Sequence, residues 1–577
     1  MKFSGSDFKG FFYGDDDAEE SPRSRREARP AKTGKGRTLV NIAVTLAVGA
    51  VYFYVTLPAL NLKNEGFYVF ILLLCAVYGG CAVLTSGFRG DGLRGYFRFL
   101  KKQCAVPFVL AVVCVLTYLV GNLLSWEVLR AKDYRDLLQV ETGDFAAEVK
   151  EVSYDQIPML DKDSAQRLGD RKLGELADMV SQFEVASDYT QINYQDRPVR
   201  VTPLVYGDWI KWFVNRSEGL PAYLIIDMVT QNVEVVRLDE GIRYTTAEHF
   251  GRLLQRYLRF AYPTYMFSQP MFEIDEDGTP YWVCPKLDRT IGLFGGTDMD
   301  GAVLVNAVTG EHAYYEDVPT WVDHVYSAEL IIEQYDYYGT YCHGFINSIF
   351  GQRDVTVTTA GYNYIAMNDD VYMYTGITSV SSDESNVGFI LANQRTKETR
   401  FYSVAGAEEF SAEASAEGQV QHLNYDATFP LLLNIADQPT YFMALKDNAG
   451  LVKLYAMVNV QQYQIVATGQ TVAECEESYR QMLAQNKLID DSEAELAIRT
   501  GADGVSGIIR DLRSAVIDGN TYYYILLDGQ SAYFVVSAAE VPTAVLLNVG
   551  DSVQIQYYQV EDTADAALLD AFAVERG

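Results

Sequence analysis

The chain has 577 residues and carries 46 Lys+Arg against 77 Asp+Glu, which gives a net charge of −31. This acidic balance repels phosphate backbones and argues against nucleic acid as a partner. Of the seven Cys, Cys284, Cys342 and Cys475 are widely separated and no CxxC pair exists, which argues against a disulfide framework, a zinc ribbon and a thioredoxin-like site.

Residues 1–37 contain an acidic run followed by a basic, Pro-containing run, and they have almost no aliphatic side chains. A segment of this composition cannot bury enough apolar surface to fold. We therefore predict a disordered cytoplasmic tail at 1–37.

Three stretches without charged residues follow at 38–62, 66–88 and 103–126. Each is long enough to cross a hydrocarbon core of about 30 Å at about 1.5 Å per helical residue. The sequence therefore predicts a membrane protein with a three-span transmembrane domain at 38–126. The lipid bilayer is its first expected partner.

The orientation follows from Lys and Arg beside the spans, because these residues stay on the cytoplasmic side. Positive charge precedes the first span and fills the loop between spans two and three, whereas the loop between spans one and two contains only Lys63 and Glu65. We therefore expect a multi-pass protein of the cell membrane with a cytoplasmic N-terminus and an extracytoplasmic C-terminal part. Residues 126–577 carry 31 Lys+Arg against 68 Asp+Glu, so this part would attract cations or basic partners.

Four segments of the extracytoplasmic part share one pattern. In each, a run of β-branched or aromatic residues ends at Asn or Asp, and Thr or Gly follows three residues later, before a second such run. Asn and Asp cap their own backbone and Gly tolerates positive φ, so the spacing predicts a turn between paired strands. The four predicted hairpin turns are Asp227 with Thr230, Asn306 with Thr309, Asn393 with Thr396, and Asp447 with Gly450.

Helical patterns follow these hairpins. Thr245 stands three residues before Glu248, and Thr471 three before Glu474, which is the spacing of a capping box at a helix start. A third pattern begins at Pro319, since Pro suits the first turn of a helix. We predict an α+β domain at 127–490 made of repeated β-hairpin-plus-helix modules.

These modules resemble PepSY-type units, small extracytoplasmic α+β domains with a Val-rich strand, an Asx-x-x-Thr-Gly-Glu turn and a second strand. The closest match is NAVTGE at 306–311, whereas the other three copies lack the Thr-Gly pair. The resemblance implies regulation of an envelope peptidase and supplies no catalytic residues. The whole chain is also similar to uncharacterised multi-pass membrane proteins of Gram-positive bacteria, which implies a location and no activity.

Residues 503–577 contain about five short alternating runs, with turn signals at 518–520 and 528–529 and a Val-Gly-Asp turn before a late strand. This pattern resembles a small OB-like β-barrel. Such barrels bind oligosaccharide or nucleic acid, and the acidic balance favours a packing or protein-contact role here. The Gly504-Val505-Ser506-Gly507 sequence is interpreted as a turn.

No catalytic motif is present, so we predict no catalytic residues, no bound metal and no cofactor. Cys342 and His343 are adjacent, but neighbouring residues of a strand face opposite ways and seldom form a thiolate pair. At most one disulfide is open to the three cysteines outside the spans, Cys284, Cys342 and Cys475. Six acidic residues could collect Ca²⁺ or form a solvated rim, and we expect the rim: Asp298, Asp300, Asp369, Asp370, Asp383 and Glu384.

A ligand-facing loop pair is predicted at TTAGYN, 358–363, and SVSSDES, 379–385, because both segments are polar loops between strand-like runs. The alternative for the neighbouring Tyr residues is the surface of half-buried strands, which Tyr favours. The candidate ligand-binding residues are Tyr362, Asn363, Ser379, Asp383 and Glu384.

Two hypotheses of function follow. The first is a non-enzymatic, membrane-anchored binding or scaffold protein that regulates an envelope peptidase or binds a cell-wall component. The alternative is an envelope enzyme whose active site is dispersed along the extracytoplasmic part. The sequence leaves the ligand and the oligomeric state open.

Overall fold

The structure is a computed structural model that describes residues 35–85, 101, 103–151, 157–367, 369–380, 385–490, 502–517, 520–530, 532–538, 541–558 and 568–576. The predicted cytoplasmic tail lies outside these residues except for 35–37, and Asp383 and Glu384 lie outside them as well. The chain forms two compact units, Met1–Val120 and Gly121–Gly577.

The first unit contains three apolar helices, Lys35–Thr56 (α1), Glu65–Thr85 (α2) and Ala105–Leu124 (α3), and the last turn of α3 belongs to the second unit. Each helix is long and apolar enough to cross a membrane, with a mean hydropathy of 1.9, 2.4 and 2.2 in turn. α1 ends before residue 62, the predicted end of the first span. Pro58 cannot donate a helical N–H, and Leu57 before it has a φ of 50°.

The second unit opens with short elements that lead to its sheets. They are Glu127–Arg135 (α4), Val140–Gly143 (β1), Phe145–Glu148 (α5) and Lys162–Gly174 (α6).

The first two sheets have five strands each. The first contains Phe183–Val185 (β2), Thr190–Tyr194 (β3), Arg197–Tyr206 (β4), Leu220–Asp227 (β5) and Val233–Ile242 (β6), with helix Trp209–Asn215 (α7) inserted after β4. Helix Leu254–Ala261 (α8) precedes the second, which contains Met266–Phe267 (β7), Met271–Ile274 (β8), Pro280–Ile291 (β9), Gly295–Asn306 (β10) and His312–Tyr315 (β11).

The third and fourth sheets follow the same order. Helix Ala328–Thr340 (α9) precedes Thr356–Thr358 (β12), Asn363–Met367 (β13), Asp370–Ser379 (β14), Ser385–Asn393 (β15) and Thr399–Tyr402 (β16), and the sheet also includes β1 and Gly406–Ala407 (β17). Helix Glu409–Gln419 (α10) precedes Asp426–Ala427 (β18), Leu431–Ile435 (β19), Gln438–Lys446 (β20), Val452–Asn459 (β21) and Val466–Gly469 (β22), and Val472–Gln485 (α11) follows.

All four sheets repeat one topology. A helix is followed by a strand that is interrupted once, and both of its pieces pair with the same central strand, β4, β9, β14 or β20. The central strand then pairs with a third strand, which forms a hairpin with a fourth. The interruptions fall at 186–189, 268–270, 359–362 and 428–430. The repeating unit is therefore a helix and an antiparallel meander, larger than the hairpin that the sequence pattern predicts.

The four predicted turns are present, and an Asn or Asp side chain caps each of them. Asp227 Oδ1 accepts hydrogen bonds from the Val229 and Thr230 backbone N–H groups, at 2.8 and 2.7 Å. Asn306, Asn393 and Asp447 accept backbone hydrogen bonds in the same way. The turn chemistry predicted from the sequence is confirmed, because it depends only on neighbouring residues.

The fourth turn, however, occupies a different place in its sheet. Asp447 connects β20 to β21, whereas the other three turns connect the third strand to the fourth. The equivalent residue is Asn459, whose Oδ1 accepts from the Gln461 and Gln462 N–H groups at 3.1 and 2.8 Å. After each equivalent turn residue, the next N–H donates to the start of the central strand: Met228 to Pro198, Ala307 to Pro280, Gln394 to Val371, and Val460 to Pro439.

Two predicted helix starts are wrong. Helix α8 begins at Leu254, and Thr245 does not cap it. Instead Glu248 is buried and accepts hydrogen bonds from Trp212 Nε1 at 2.7 Å and from Tyr206 Oη at 2.9 Å. Helix α9 begins at Ala328, nine residues after Pro319, because Ser327 Oγ caps it. Thr471 caps α11 as predicted, since its hydroxyl accepts from the Glu474 N–H at 3.1 Å.

The last five strands close into a barrel with the order β23-β24-β25-β27-β26, in which β25 and β27 are parallel. Their bounds are Ala502–Ile517 (β23), Asn520–Leu527 (β24), Tyr533–Ser537 (β25), Ser552–Tyr558 (β26) and Leu568–Arg576 (β27). Residues 504–507 lie inside β23 and pair with β26, so the turn predicted there is wrong. The predicted turn residues 518–519 lie outside the described part of the chain.

Candidate functional site

A cavity of about 490 Å³ lies in the second unit, where the first, third and fourth sheets meet the segment 158–163. Three of the four strand interruptions contribute to its lining, through Tyr189, Tyr362 and Phe429. At each interruption the backbone leaves the regular ladder for a few residues, and these residues form part of the concave wall. The repeated topology therefore generates the cavity.

Arg200 is the principal charged group in the cavity wall. It lies on β4 and is 7% exposed. Its Nη2 donates to Gln191 Oε1 at 3.2 Å, while its Nε has no hydrogen-bond partner among the described residues. Burial lowers the pKa of Arg200 to about 10, so the guanidinium is still charged at neutral pH. A buried cation with unused donors is costly unless an anion accepts them.

Tyr189 supplies a second unused donor. The residue is 7% exposed, and its hydroxyl has no hydrogen-bond partner within the described part of the chain. Burial and the nearby Asp170 carboxylate raise the pKa of this hydroxyl, so it remains a neutral O–H donor. This hydroxyl is packed against Gly169 of helix α6, so Arg200 is the donor that the wall offers to a ligand.

The other buried charges near the cavity neutralise one another. Asp161 caps helix α6 by accepting from the Ser164 N–H at 3.1 Å, and Lys446 Nζ lies 2.5 Å from its other oxygen. Burial alone would raise the pKa of Asp161, but the hydrogen bonds from Lys446 and Ser164 outweigh it and the pKa is lowered. Arg200 makes no salt bridge with any described residue, although the Asp161 carboxylate acts on it at longer range, so its guanidinium is available to a ligand.

The remaining wall is partly polar, through residues such as Lys162, Asp163 and Thr428, and partly apolar and closely packed. Phe429, Leu431, Phe442 and Met443 line one side of the cavity. Gly361 lies against the Phe429 ring so closely that a Cβ there would come within 2.5 Å of it. A ligand for this cavity therefore combines an anionic group with an apolar part.

Two of the five predicted ligand-binding residues line the cavity, namely Tyr362 and Asn363. Tyr362 Oη donates to Glu329 Oε1 at 2.6 Å, and Asn363 Nδ2 is 3.4 Å from the carbonyls of Phe429 and Pro430. Both side chains therefore hold the wall in place.

Ser379 is not brought to the cavity. It pairs with Thr356 on β12, whereas Asn363 pairs with Tyr374, five residues earlier on β14. Five residues of extended strand span about 17 Å, so Ser379 lies well away from the residue that pairs with Asn363. Asp383 and Glu384, the other predicted residues, lie outside the described chain.

Sequence reasoning missed Arg200 and Tyr189. The sequence does contain a sign of the site, because Arg200 is a charged residue in the otherwise largely apolar strand RPVRVTPLVY. Its neighbours on both sides in this strand are buried. A charged residue in a fully buried strand is rare unless it has a partner or a function.

Cys342 and His343 do not form a nucleophilic pair with each other. The Cys342 thiol donates to the Asp354 carbonyl at 3.2 Å, and His343 Nε2 lies 3.1 Å from Asp354 Oδ2 in an exposed position. Burial and the Asp354 charge raise the pKa of the Cys342 thiol, which disfavours a thiolate. All seven cysteines are free.

Three acidic residues of the predicted rim are paired with cations. Asp298 binds Lys397, Asp300 binds Lys286, and Asp370 binds Arg395 through two hydrogen bonds of 2.7 and 2.8 Å. Within the described residues, no group of three or more His, Cys, Asp or Glu is placed to hold a metal ion.

Comparison with protein-family models finds no match, and comparison with curated proteins finds none either.

Proposed function

We propose that the chain is a membrane-anchored, extracytoplasmic binding protein whose cavity holds a ligand through a carboxylate group. The observation that supports this proposal most directly is Arg200, a buried guanidinium with no ion pair among the described residues. A carboxylate is the group that a guanidinium fork binds with two parallel hydrogen bonds.

The ligand class follows from the cavity wall. An apolar surface beside the guanidinium suits a short peptide terminus, whose carboxylate would reach Arg200 while its last side chains contact Phe429 and Phe442. Peptide termini occur in cell-wall peptides and in substrates of an envelope peptidase. The proposal therefore accommodates both partner classes expected from the sequence, a wall component and a peptidase system.

The rest of the chain has a supporting role in this proposal. The repeated units keep their resemblance to PepSY-type modules, which regulate peptidases. The barrel strand order β23-β24-β25-β27-β26, with β25 and β27 parallel, favours the OB-like assignment, and a protein-contact role suits its acidic setting.

The test uses the full chain in nanodiscs and short peptides with either a free or an amidated C-terminus. We expect the free carboxylates to bind and the amides to bind more weakly. The Arg200→Met variant, which keeps the length of the side chain but not its charge, should lose about 10-fold to 100-fold in affinity, because a charge-assisted hydrogen bond contributes about 1.5–3 kcal/mol.

A matched control is Arg237→Met, which removes an exposed arginine from β6 of the same sheet. Its affinity should equal that of the unchanged chain. Equal binding of carboxylate and amide, or equal loss in the two variants, would overturn the proposal. Binding measured by isothermal titration in one lipid composition separates these outcomes.

A further inference from the structure

The end of helix α3 is packed against the second sheet. Ser125 Oγ accepts hydrogen bonds from the Leu293 and Phe294 N–H groups, at 3.0 and 2.9 Å. Gly121 lies so close to Phe294 that a Cβ at this position would come within 2.6 Å of its ring. The tip of the β9–β10 hairpin is therefore fixed beside the last turn of the third candidate span.

Helix α9 packs against α4, and α4 begins three residues after α3 ends. Tyr341 Oη donates to Glu127 Oε2 at 2.7 Å, and the rings of Tyr134 and Tyr337 lie 4.7 Å apart. The Phe345 ring lies 6.2 Å from that of Tyr341. The chain that follows α9 thus starts beside the residues that follow the third span.

The chain then presents three large apolar side chains to the outside. Ile346 is 73% exposed, Ile349 is 52% exposed and Phe350 is 83% exposed. Ile349 and Phe350 belong to a π-helical turn, Asn347–Gly351, and Ile346 directly precedes it. The Asn347 side chain holds the backbone of this turn by donating to the Arg353 carbonyl at 2.9 Å. The turn is a defined structure that leaves its apolar side chains uncovered.

We propose that the segment 346–350 inserts into the interfacial layer of the bilayer that helix α3 crosses. Single exposed apolar residues are ordinary on a protein surface, but three within five residues form a patch that a partner covers. The bilayer is the occupant that the contacts favour, because hydrogen bonds and ring contacts connect this segment to residues only a few positions beyond the span.

The surrounding residues suit that interface. Trp126, which is 55% exposed, stands between α3 and α4, whereas Tyr134 and Tyr341 are buried behind it in the chain and hold the fold there. Trp and Tyr are enriched at membrane–water boundaries, where their rings are apolar and their N–H or O–H groups stay hydrated. Arg353, whose side chain is 82% exposed, lies 3.4 Å from Asp354 Oδ2 in an exposed ion pair, and its long side chain can extend towards lipid headgroups. The inference requires only that α3 spans a bilayer, so it does not depend on the carboxylate ligand.

Photocrosslinking tests the proposal. A photoreactive phenylalanine analogue replaces Phe350 in the full chain, which is placed in nanodiscs of phosphatidylglycerol and in native membranes. The control carries the same analogue in place of Phe410, which is 47% exposed on α10. We expect lipid adducts at position 350 and none at position 410. Adducts with a second copy or another protein at position 350, or equal lipid labelling at both positions, would contradict the proposal.

Hydrogen exchange gives a second measurement that does not require the analogue. Both the unchanged chain and the double variant Ile346→Asp/Phe350→Asp are measured in nanodiscs. The amides of 346–351 should exchange at least 10-fold more slowly in the unchanged chain than in the variant. Exchange in α9 should be the same in both proteins, which shows that the variant is folded. Equal exchange of 346–351 in the two proteins would also overturn the insertion.

Discussion

Lys397 Nζ lies 2.7 Å from Asp298 Oδ2, and this ion pair joins the hairpin turn of the third sheet to strand β10 of the second. Lys397 also donates to the Leu137 carbonyl at 3.1 Å, so one ammonium connects three parts of the second unit. Its side chain is 16% exposed and that of Asp298 is 22% exposed. Water therefore screens the pair only in part.

We expect Lys397→Met to destabilise the second unit by about 2 kcal/mol, because the Asp298 carboxylate would remain partly buried without its cation. The melting temperature of the full chain in detergent should fall by several degrees. The control is Lys172→Met, which breaks an exposed pair with Glu175 and should change the melting temperature little. Similar shifts in melting temperature for both variants would show that the Lys397–Asp298 pair stabilises the fold no more than an exposed pair does.

The second prediction concerns pH and Asp323. This residue is 1% exposed, its Oδ2 accepts from the Asn193 N–H at 2.7 Å, and burial together with the Glu273 charge raises its pKa well above the ordinary value. The folded state then binds this proton more tightly than the unfolded state. Stability is therefore greatest below the unfolded pKa of about 4 and falls as the pH rises towards the folded pKa.

Asp323→Asn keeps a carbonyl oxygen for Asn193 but cannot ionise. We expect its melting temperature to vary less with pH than that of the unchanged chain above pH 4, and to be relatively higher at neutral pH. Melting curves across the pH range measure this difference. A variant that loses the same stability at every pH would show that the contact matters through its geometry and not through ionisation.

The third prediction compares the two turns of the fourth sheet. Asn459 is fully buried, caps its turn and donates from Nδ2 to Tyr479 Oη at 3.2 Å, whereas Asp447 caps an exposed turn. We expect Asn459→Ala to cost about 2–3 kcal/mol, because it leaves buried groups unpaired. Asp447→Ala should have a smaller effect on the melting temperature. The reverse order would argue against Asn459 as the residue equivalent to Asp227.

The fourth prediction concerns orientation. If positive charge holds the N-terminus in the cytoplasm, a protease added to intact cells stripped of their wall should digest residues 127–577 and leave the spans protected. An antibody tag at each terminus, detected on immunoblots, distinguishes the two ends. If the C-terminal tag survives protease in intact cells and disappears only after lysis, the C-terminal part lies in the cytoplasm and the predicted orientation is wrong.

The residues of the cavity show how far sequence reasoning extends. Tyr362 and Asn363 were predicted because a polar, Gly-containing loop between strands is visible in one short segment. Arg200 and Tyr189 lie more than 150 residues earlier, and their role depends on the third and fourth sheets packing against the first. Composition groups Ser379 with Tyr362, but Ser379 is the last residue of β14 and does not line the cavity.

The sequence by itself determined the features that depend on nearby residues. These are the three apolar helices, whose length and composition match a bilayer, and the four turns, in which Asn or Asp caps its own backbone. The tertiary structure alone decided which turn is equivalent in the fourth sheet, where α8 begins, and which side chains share the cavity. Those outcomes depend on burial and hydrogen bonds between residues far apart in the chain, such as Glu248 with Trp212, and local patterns do not encode such contacts.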